Sequence, residues 1–436
     1  MDCKARIFRL ALALLIFAPA FFSFNYIFRF GVNVPFWDQW EFVPLLGKSY
    51  DGTVAISDLV RPHNEHIIFF PRLLMLLVAH LTRYNVVAEM YCSWLLQCLI
   101  AILLLSNHLK TFGADNIGLA SFVPVSWLIF SLRQSENLLW GWQVQVFLCS
   151  FCIIASLLSL SKAEQQTWQA VVAVAAALVA SFSFAGGLAI WPVGFVYLLW
   201  LHSTRRPESR RRFLFVALIW FCTALLVLLA YYSVAVTTQL PPSNAGDYFK
   251  FMLVILGGAL APDVSGSVAT GSMLLGLTIV LSVLALSRGV HTERGSLALP
   301  LILFTATVAV LLLRGRFAYG EGLAATSRYT TLTSLGIIGL YRGSLSVKRD
   351  GIRGLTVGFM LALVGLGIIS AFDNAYTIGK NTRNGRLAAA EILRHYDSRP
   401  DSDINGPLYA FPSLVRERAA VLVTNHLSVF SDKSPR

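Results

Sequence analysis

Charged side chains are scarce in this sequence. Of its 436 residues, 13% are charged and 56% are hydrophobic, and the mean hydropathy is +0.65. Repeated apolar runs of about 20 residues, long enough to cross a bilayer, exclude an ordinary soluble protein and indicate a polytopic membrane protein. The net charge of +12 does not by itself indicate nucleic-acid binding, because basic residues beside membrane spans report orientation. We expect the lipid bilayer as a partner, and no nucleic acid.

Cysteine is also rare. The six cysteines all lie in or beside apolar runs, at Cys3, Cys92, Cys98, Cys149, Cys152 and Cys222. This distribution indicates neither a disulfide framework nor a cysteine metal motif. The first apolar run, 7–28, is longer than the core of a usual signal peptide, and many further runs follow it. We therefore interpret it as a retained first helix.

The apolar runs predict an all-α fold with about eleven transmembrane helices. The candidate spans cover residues 7–28, 86–106, 118–132, 143–160, 168–184, 188–202, 212–236, 270–288, 296–314, 326–341 and 354–372. Two further apolar segments, 67–82 and 248–261, are ambiguous. Segment 67–82 has only about 16 residues, whereas a span needs about 20. We therefore predict that 67–82 is an interfacial helix.

Basic residues decide the orientation. If 67–82 lies along the membrane surface, the basic connections 203–211, 287–295 and 342–353 fall on the side of the N-terminus. If it spans, connection 203–211 moves outside and the positive-inside pattern is broken. By the same argument, 248–261 stays on the outer face. We predict an inner (plasma) membrane protein with a cytoplasmic N-terminus and an extracytoplasmic C-terminus.

This orientation divides the chain into two regions. Residues 1–372 form the transmembrane domain, whose first outer loop, 29–85, is large and carries the candidate active site. Residues 373–436 form a small extracytoplasmic tail. The tail has one predicted helical stretch at 386–394 and a second after Pro412, with a turn between them.

The first outer loop is rich in acids for so apolar a chain. Asp38 lies between Trp37 and Trp40, and indoles prefer the headgroup level of a membrane. A carboxylate held there can serve as a general base when a cation is close to it. Glu41 is the second acid of this stretch and, with His63, Glu65 and His66 further along the loop, a further catalytic candidate. The alternative is that Asp38 caps a helix beginning near Gln39 while the two tryptophans anchor the chain.

A second polar run in this loop reads Arg61-Pro62-His63-Asn64-Glu65-His66. His63, Glu65 and His66 have the ligand chemistry for a divalent metal, but their spacing is loose and no fourth ligand is apparent. We favour a hydrogen-bonded network that supports Asp38. Plain capping of helix 67–82 is the third interpretation. A divalent cation is the one cofactor that this run suggests.

The short segment 131–143 combines Glu136 with Trp140 and Trp142. Stacked indoles beside amide and carboxylate groups are typical of a site for a sugar ring, although tryptophan is also common at membrane interfaces. We include these three residues as substrate-binding candidates, together with Trp37 and Trp40 of the first outer loop and Arg72 of the expected interfacial helix.

Several arginines lie in a later outer loop, against the positive-inside bias. The substrate-binding candidates of this region are Arg314, Arg316, Tyr319, Arg328 and Tyr329. Arginines on the outer side indicate an anionic partner, and guanidinium groups bind phosphate in bidentate fashion. The alternative is that they form salt bridges with Glu321 or with the acids of the first outer loop. We favour phosphate, because neighbouring glycines give the loop mobility.

The order of these elements resembles the GT-C class of integral membrane glycosyltransferases. The resemblance covers most of the spans and is specific at Trp37-Asp38-Gln39-Trp40 and at His63-Asn64-Glu65-His66. It implies inverting transfer of a sugar from a polyprenyl-phosphate donor to an extracytoplasmic glycan or glycolipid acceptor. Asp38 takes the place of the catalytic acid in the family's first outer loop. Arg328, with Arg316 or Arg314, takes the place of the phosphate clamp.

One departure and two alternatives remain. Many members of the class carry a further acid in the second outer loop, and here only Glu136 could fill that place. A polysaccharide polymerase or ligase with a lipid-diphosphate donor would use a similar set of arginines. A lipid-linked sugar transporter or flippase is the alternative from a different class. Transporters are expected to have inverted repeats and ionisable residues at mid-membrane depth, and the candidate spans have few such residues.

Overall fold

The computed structural model describes residues 3–163, 166–204, 207–234, 241–291 and 297–431. These residues are mostly helical and form no β-strand, only three isolated bridges, which confirms the all-α prediction. Their α-helices are α1 (Cys3–Phe30), α2 (Val43–Tyr50), α3 (Ile56–Val60), α4 (Phe69–Thr82), α5 (Val86–Phe112), α6 (Asn116–Ile129), α7 (Ser135–Leu138), α8 (Val144–Lys162), α9 (Thr167–Ser181), α10 (Ile190–Thr204), α11 (Pro207–Val234), α12 (Ala245–Gly257), α13 (Val264–Leu286), α14 (Ala298–Arg316), α15 (Gly320–Ala324), α16 (Thr330–Leu345), α17 (Asp350–Arg394), α18 (Asp401–Ile404) and α19 (Pro412–Thr424). Short 3₁₀ helices cover Trp37–Glu41, Leu132–Gln134, Gly141–Gln143, Ala185–Ala189, Phe317–Tyr319, Ser327–Tyr329 and Ser428–Phe430.

Nine helical segments of the described chain are long and apolar enough to cross a membrane. They are Arg6–Phe30, Val86–Phe112, Asn116–Leu138, Gly141–Lys162, Ala185–Thr204, Arg210–Tyr231, Val264–Leu286, Ala298–Ala324 and Asp350–Arg394. The other two predicted spans correspond to α9 and α16. These helices have 15 and 16 residues, fewer than the roughly 20 that a span needs. The structure therefore supports a polytopic bundle with nine candidate spans.

Helix α16 nevertheless lies inside the bundle, since residues 330–344 are all buried. Its close neighbour is α14. A Cβ atom added at Gly336 would lie 2.6 Å from Oγ1 of Thr305, so the glycine allows the two helices to approach closely. This packing fixes the 3₁₀ helix Ser327–Tyr329, which leads directly into α16.

The two ambiguous apolar segments form the short helices α4 and α12. They contain 14 and 13 residues, or about 21 and 20 Å at roughly 1.5 Å per residue, less than the ~30 Å hydrocarbon layer. Helix α4 stops where Arg83 adopts a left-handed conformation (φ 55°), and Asn85 then caps α5. The length of α4 suits the interfacial position predicted for 67–82.

Helix α17 crosses the boundary that we placed at residue 372. It has 45 residues and is therefore about 68 Å long. Polar residues after 372 end the apolar run, but no proline interrupts the helix before Pro400. The predicted helical stretch 386–394 is the end of α17, and the stretch predicted after Pro412 is α19.

The tail packs against the first outer loop. One apolar cluster contains Trp40 and Leu46 from the loop together with Leu393 and Val415 from the tail region. Gly47 of α2 lies so close to α19 that an added Cβ atom would be 2.9 Å from a methyl group of Val421. Residues 31–85 and 395–431 thus form one layer at this end of the bundle, which we call the loop–tail layer.

Cysteine labelling tests the predicted orientation. Arg205, Arg206 and Arg294, which carry part of the charge used to orient the chain, lie outside the described residues. In a cysteine-free background, a single cysteine at Arg210 should react only with a membrane-permeant maleimide in intact cells. A single cysteine at Arg399 should react with an impermeant maleimide as well. Labelling of position 210 by the impermeant reagent would overturn the orientation.

Candidate functional site

A cavity of about 480 Å³ lies where the loop–tail layer meets the helical bundle. The structure brings eleven predicted site residues to its lining, namely Trp37, Asp38, His63, Glu65, His66, Trp140, Trp142, Arg314, Arg316, Arg328 and Tyr329. Five predicted residues do not line it, namely Trp40, Glu41, Arg72, Glu136 and Tyr319. Residues from distant parts of the sequence therefore meet around one space.

Asp38 lies in the 3₁₀ helix Trp37–Glu41, with 30% of its side chain exposed. Its Oδ2 is 3.6 Å from Nε2 of His63. The N-cap positions in this stretch are Phe36 and Phe42, so the interpretation of Asp38 as a helix cap is wrong. Its carboxylate is free to face the cavity.

Trp37 enters this turn with a left-handed backbone (φ 47°). A bulky residue keeps such a conformation only where its surroundings hold it. Here the N–H of Trp37 donates to the carbonyl of Leu408 at 3.0 Å, and the indole packs edge-on against Tyr409. The tail therefore holds the backbone that presents Asp38.

Gln39 ties the same turn to α5. Its Nε2 donates to Oε2 of Glu89 at 2.9 Å, and its Oε1 accepts the N–H of Phe36 at 3.2 Å. Both Gln39 and Glu89 are buried. The indole N–H of Trp140 donates to the Phe36 carbonyl at 3.2 Å. These bonds fix the turn against the segment that carries Trp140, so two walls of the cavity are held together.

Trp40 and Glu41 serve the packing of the loop–tail layer. Trp40 is fully buried. Glu41 accepts hydrogen bonds from Arg418 at 2.8 Å and from the Tyr409 hydroxyl at 2.7 Å. Burial raises the pKa of Glu41, but the hydrogen bonds from Arg418 and Tyr409 outweigh it and hold that pKa below its ordinary value. Glu41 thus remains ionised as the partner of Arg418.

Glu41→Gln should lower the free energy of unfolding by about 1–2 kcal/mol near neutral pH, since a charge-assisted bond at a partly exposed site is lost. A carboxylate whose pKa is lowered on folding stabilises the protein above its ordinary pKa, and this stabilisation is lost as pH falls through the folded-state value. Thermal unfolding of wild type and variant in detergent should therefore differ at about pH 7 and converge in acid. An equal difference at both pH values would contradict this role.

His63 and His66 form the two ends of a tight turn. Each residue's N–H donates to the other's carbonyl, at 2.8 and 2.9 Å. Asn64, inside the turn, has a left-handed backbone (φ 51°), which asparagine tolerates better than most residues. Arg72 supports the approach to this turn. It is 8% exposed, and its Nη1 donates to the carbonyls of Leu59 and Arg61.

The protonation state of His66 follows from its contacts. Its Nδ1 accepts the N–H of Ala185 at 3.1 Å, so its proton lies on Nε2, which faces Oε1 of Glu65 at 3.4 Å. Burial, together with the charges of Arg316 and His63, lowers the pKa of His66 to about 3. His66 is therefore neutral near pH 7 and helps to orient Glu65.

The predicted metal ligands do not form a closed set. Among the described residues, no group of three or more histidine, cysteine and acidic side chains is placed so that it could hold a metal ion. Glu65 forms an ion pair with Arg316, and His66 uses Nδ1 to accept a backbone N–H. These residues therefore do not fit a cation held by protein ligands alone.

Arg328 faces Glu136, not Glu321. Its Nε lies 2.5 Å from Oε1 of Glu136, and its guanidinium sits 5.4 Å from the centre of the Trp140 ring. Glu321 instead pairs with Lys250 at 2.7 Å. The alternative in which Arg328 bridges to Glu321 is therefore wrong, and Glu136 is the counterion of Arg328.

Arg316 and Arg314 differ in their partners. Arg316 pairs with Glu65 of the first outer loop, as the salt-bridge alternative expected. Arg314 lines the cavity, is exposed, and has no carboxylate partner among the described residues. Tyr319 is 66% exposed, and its ring centre is 5.9 Å from the Arg316 guanidinium. Arg314 therefore brings an uncompensated positive charge to the cavity.

Part of the lining was not singled out from the sequence. These residues are Asn64, Gln143, Gln145, Phe184, Ala185, Gly186, Leu188 and Tyr231. Phe184 stacks under His66 with ring centres 4.5 Å apart. It lies in a short connection without charged residues, so only its contacts identify it.

One wall of the cavity is apolar. It contains Leu228 of α11, Leu323 of α15, and Val308, Leu311 and Leu312 of α14. Helices α11 and α14 overlap candidate membrane spans, and Leu228 is 49% exposed on the surface of the bundle. The polar groups of the cavity therefore adjoin an apolar wall that reaches the exposed surface of a candidate membrane span.

Comparisons with known proteins identify no family. No protein-family model matches the chain, and no curated protein matches it at a significant level. The function therefore has to be inferred from the cavity itself.

Proposed function

We propose that the protein is a membrane glycosyltransferase that moves a sugar from a polyprenyl-phosphate donor to an extracytoplasmic glycan or glycolipid acceptor. The observation that carries this proposal is one cavity that joins Asp38 to three arginines and an apolar wall. A lipid-phosphate sugar has a part for each of these features: its apolar chain suits the apolar wall, its phosphate suits the arginines, and its sugar ring suits the space beside Asp38. The GT-C resemblance of the sequence points to the same chemistry.

The donor's lipid and phosphate suit different parts of the cavity. An isoprenoid chain already lies among lipid tails, which are as apolar as leucine, so it can exchange contacts with lipid for contacts with the wall around Leu228 and Leu311. The phosphate suits Arg314, whose charge has no carboxylate partner in the described chain. Arg316 and Arg328 can share their remaining N–H groups with the same anion, because a guanidinium has five donors.

In this proposal Asp38 acts as the general base. The acceptor hydroxyl oxygen attacks the anomeric carbon, and its proton passes to the Asp38 carboxylate. The bond from the anomeric carbon to the phosphate oxygen breaks, and the lipid phosphate leaves with the electron pair. The arginines stabilise the negative charge that develops on the phosphate. A single displacement of this kind inverts the anomeric configuration.

A donor panel tests the proposal. Purified protein should release polyprenyl phosphate from at least one polyprenyl-phosphate sugar when a glycan acceptor is present. Turnover of polyprenyl-diphosphate sugars alone would replace the proposal with the polymerase or ligase alternative. Movement of labelled donor across vesicles without cleavage would replace it with a flippase.

A further inference from the structure

Three aromatic side chains form a row that leads away from the cavity. Trp37 lines the cavity. Its ring centre is 6.4 Å from that of Tyr409, which is 5.6 Å from that of Phe411. Trp37 and Phe411 are 42% and 57% exposed. We call these three residues the aromatic row. Two of them belong to the tail, for which the proposed reaction gives no role.

The aromatic row lies near the end of the apolar part of the bundle. Phe36, the neighbour of Trp37, has its ring against the guanidinium of Arg386 on α17. From residue 372, where the apolar run of α17 ends, to Arg386 the helix rises about 21 Å. Helix α1, however, belongs to a candidate span that continues to Phe30, and Phe30 packs against Gly379 of α17. Aromatic belts of membrane proteins lie at the headgroup level, so an experiment has to separate glycan binding from lipid contact.

Polar groups with fixed positions accompany the rings. The Tyr409 hydroxyl donates to Glu41 at 2.7 Å, and Arg418 donates to the same carboxylate at 2.8 Å. Asp38 follows Trp37 directly. Partly exposed aromatic rings beside hydrogen-bonding groups suit a ligand that has both apolar C–H groups and hydroxyl groups. A carbohydrate has this chemistry, and a peptide or lipid tail matches it less well.

The backbone at Trp37 is a second observation at this place. Its left-handed conformation (φ 47°) costs free energy in a bulky residue, and such strain is concentrated at functional sites. The N–H bond to Leu408 holds Trp37 beside the next residue, Tyr409. This hydrogen bond therefore holds the strained backbone at the point where the mouth of the cavity meets the tail.

We propose that the aromatic row binds the acceptor, and that the acceptor is an oligosaccharide chain. Its terminal sugar lies at Trp37, where its hydroxyl faces Asp38, and the preceding sugars contact Tyr409 and Phe411. The spacing of the rings is close to the length of one sugar unit. This inference rests on the proposed function, because it takes Asp38 as the group that receives the acceptor's proton.

Binding of oligosaccharides of increasing length tests the row. Full-length protein in detergent is titrated with linear α- and β-linked hexose oligosaccharides of one to four units, and affinity is read by ligand-observed NMR. For at least one linkage, affinity should rise with length up to three units. Phe411→Ala should remove the gain from the third unit, about fivefold to tenfold, while Phe411→Trp keeps it. Val423→Ala, on the exposed side of α19, should change nothing.

The outcomes separate this inference from the proposed function. Affinity that does not depend on length in any series, or that Phe411→Ala leaves intact, would overturn the aromatic row as an acceptor site. Weaker association of Phe411→Ala with phosphatidylglycerol vesicles, with oligosaccharide affinity unchanged, would overturn it in favour of lipid contact. Donor binding by Phe411→Ala should equal that of wild type. If wild type turns over no lipid-linked sugar yet shows the length dependence, the proposed function fails while the row stands as a glycan site.

Discussion

Asp38→Asn should lower the rate of sugar transfer about 10²–10⁴-fold, the usual cost of losing a general base. The amide cannot accept the proton of the attacking hydroxyl, yet it has nearly the same size. Because Asp38 caps no helix and is 3.6 Å from His63, the substitution should leave folding and donor affinity intact. Initial rates and donor titrations of the purified variant measure the two effects separately.

Glu41→Gln is the matched control for this substitution. Glu41 lies in the same 3₁₀ helix but binds Arg418 and Tyr409. Its substitution should reduce stability and leave the rate per folded molecule at saturating acceptor close to that of wild type, since Glu41 holds Tyr409 of the aromatic row but does not line the cavity. Near-wild-type turnover by Asp38→Asn would remove Asp38 from the mechanism. Glu65 would then be the acid to test, since it also lines the cavity.

Arg328→Ala should weaken both donor binding and the chemical step. Arg328 and Glu136 are 43% and 32% exposed, so loss of their ion pair alone should cost about 0–1 kcal/mol, whereas loss of a hydrogen bond to the charged phosphate should cost about 1.5–3 kcal/mol. Two effects add here, because the leaving phosphate loses a stabilising charge and Glu136 loses its counterion. Arg328→Lys should restore only part of the activity, since an ammonium replaces a two-pronged guanidinium. Donor affinity and single-turnover rates measure both losses.

Glu136→Gln separates a phosphate contact from a structural ion pair. If Arg328 only bridges to Glu136, the two substitutions should reduce thermal stability equally and leave donor affinity unchanged. Arg314→Ala adds a second comparison, since Arg314 has no carboxylate partner in the described chain. It should lower donor affinity without lowering stability. Unchanged donor affinity in well-folded Arg328→Ala and Arg314→Ala proteins would exclude the phosphate clamp.

The sequence was informative where polar residues interrupt apolar runs. Asp38, His63, Glu65 and the arginines of the later loop were visible because charge is rare elsewhere in the chain. All of them line the cavity. Helices were equally visible, because long apolar runs in a membrane must satisfy their backbone polar groups internally.

Long-range partners could not be read from local pattern. Glu41 binds Arg418, and Arg328 binds Glu136. The residues next to either acid in the sequence do not predict these pairs. Phe184 gives no local signal, because an aromatic residue in a short uncharged connection is common. The full length of α17 was also missed, since hydropathy marks the end of an apolar run but does not mark the end of a helix.

A structure of the Asp38→Asn protein with a polyprenyl-phosphate sugar, determined by electron cryomicroscopy, tests the central claim most directly. This variant should bind the donor without consuming it. We expect the phosphate to lie within hydrogen-bond reach of Arg314 and Arg328, the lipid to follow the wall at Leu228, and the sugar to face residue 38. A donor phosphate bound away from these arginines, with the cavity unoccupied, would contradict it.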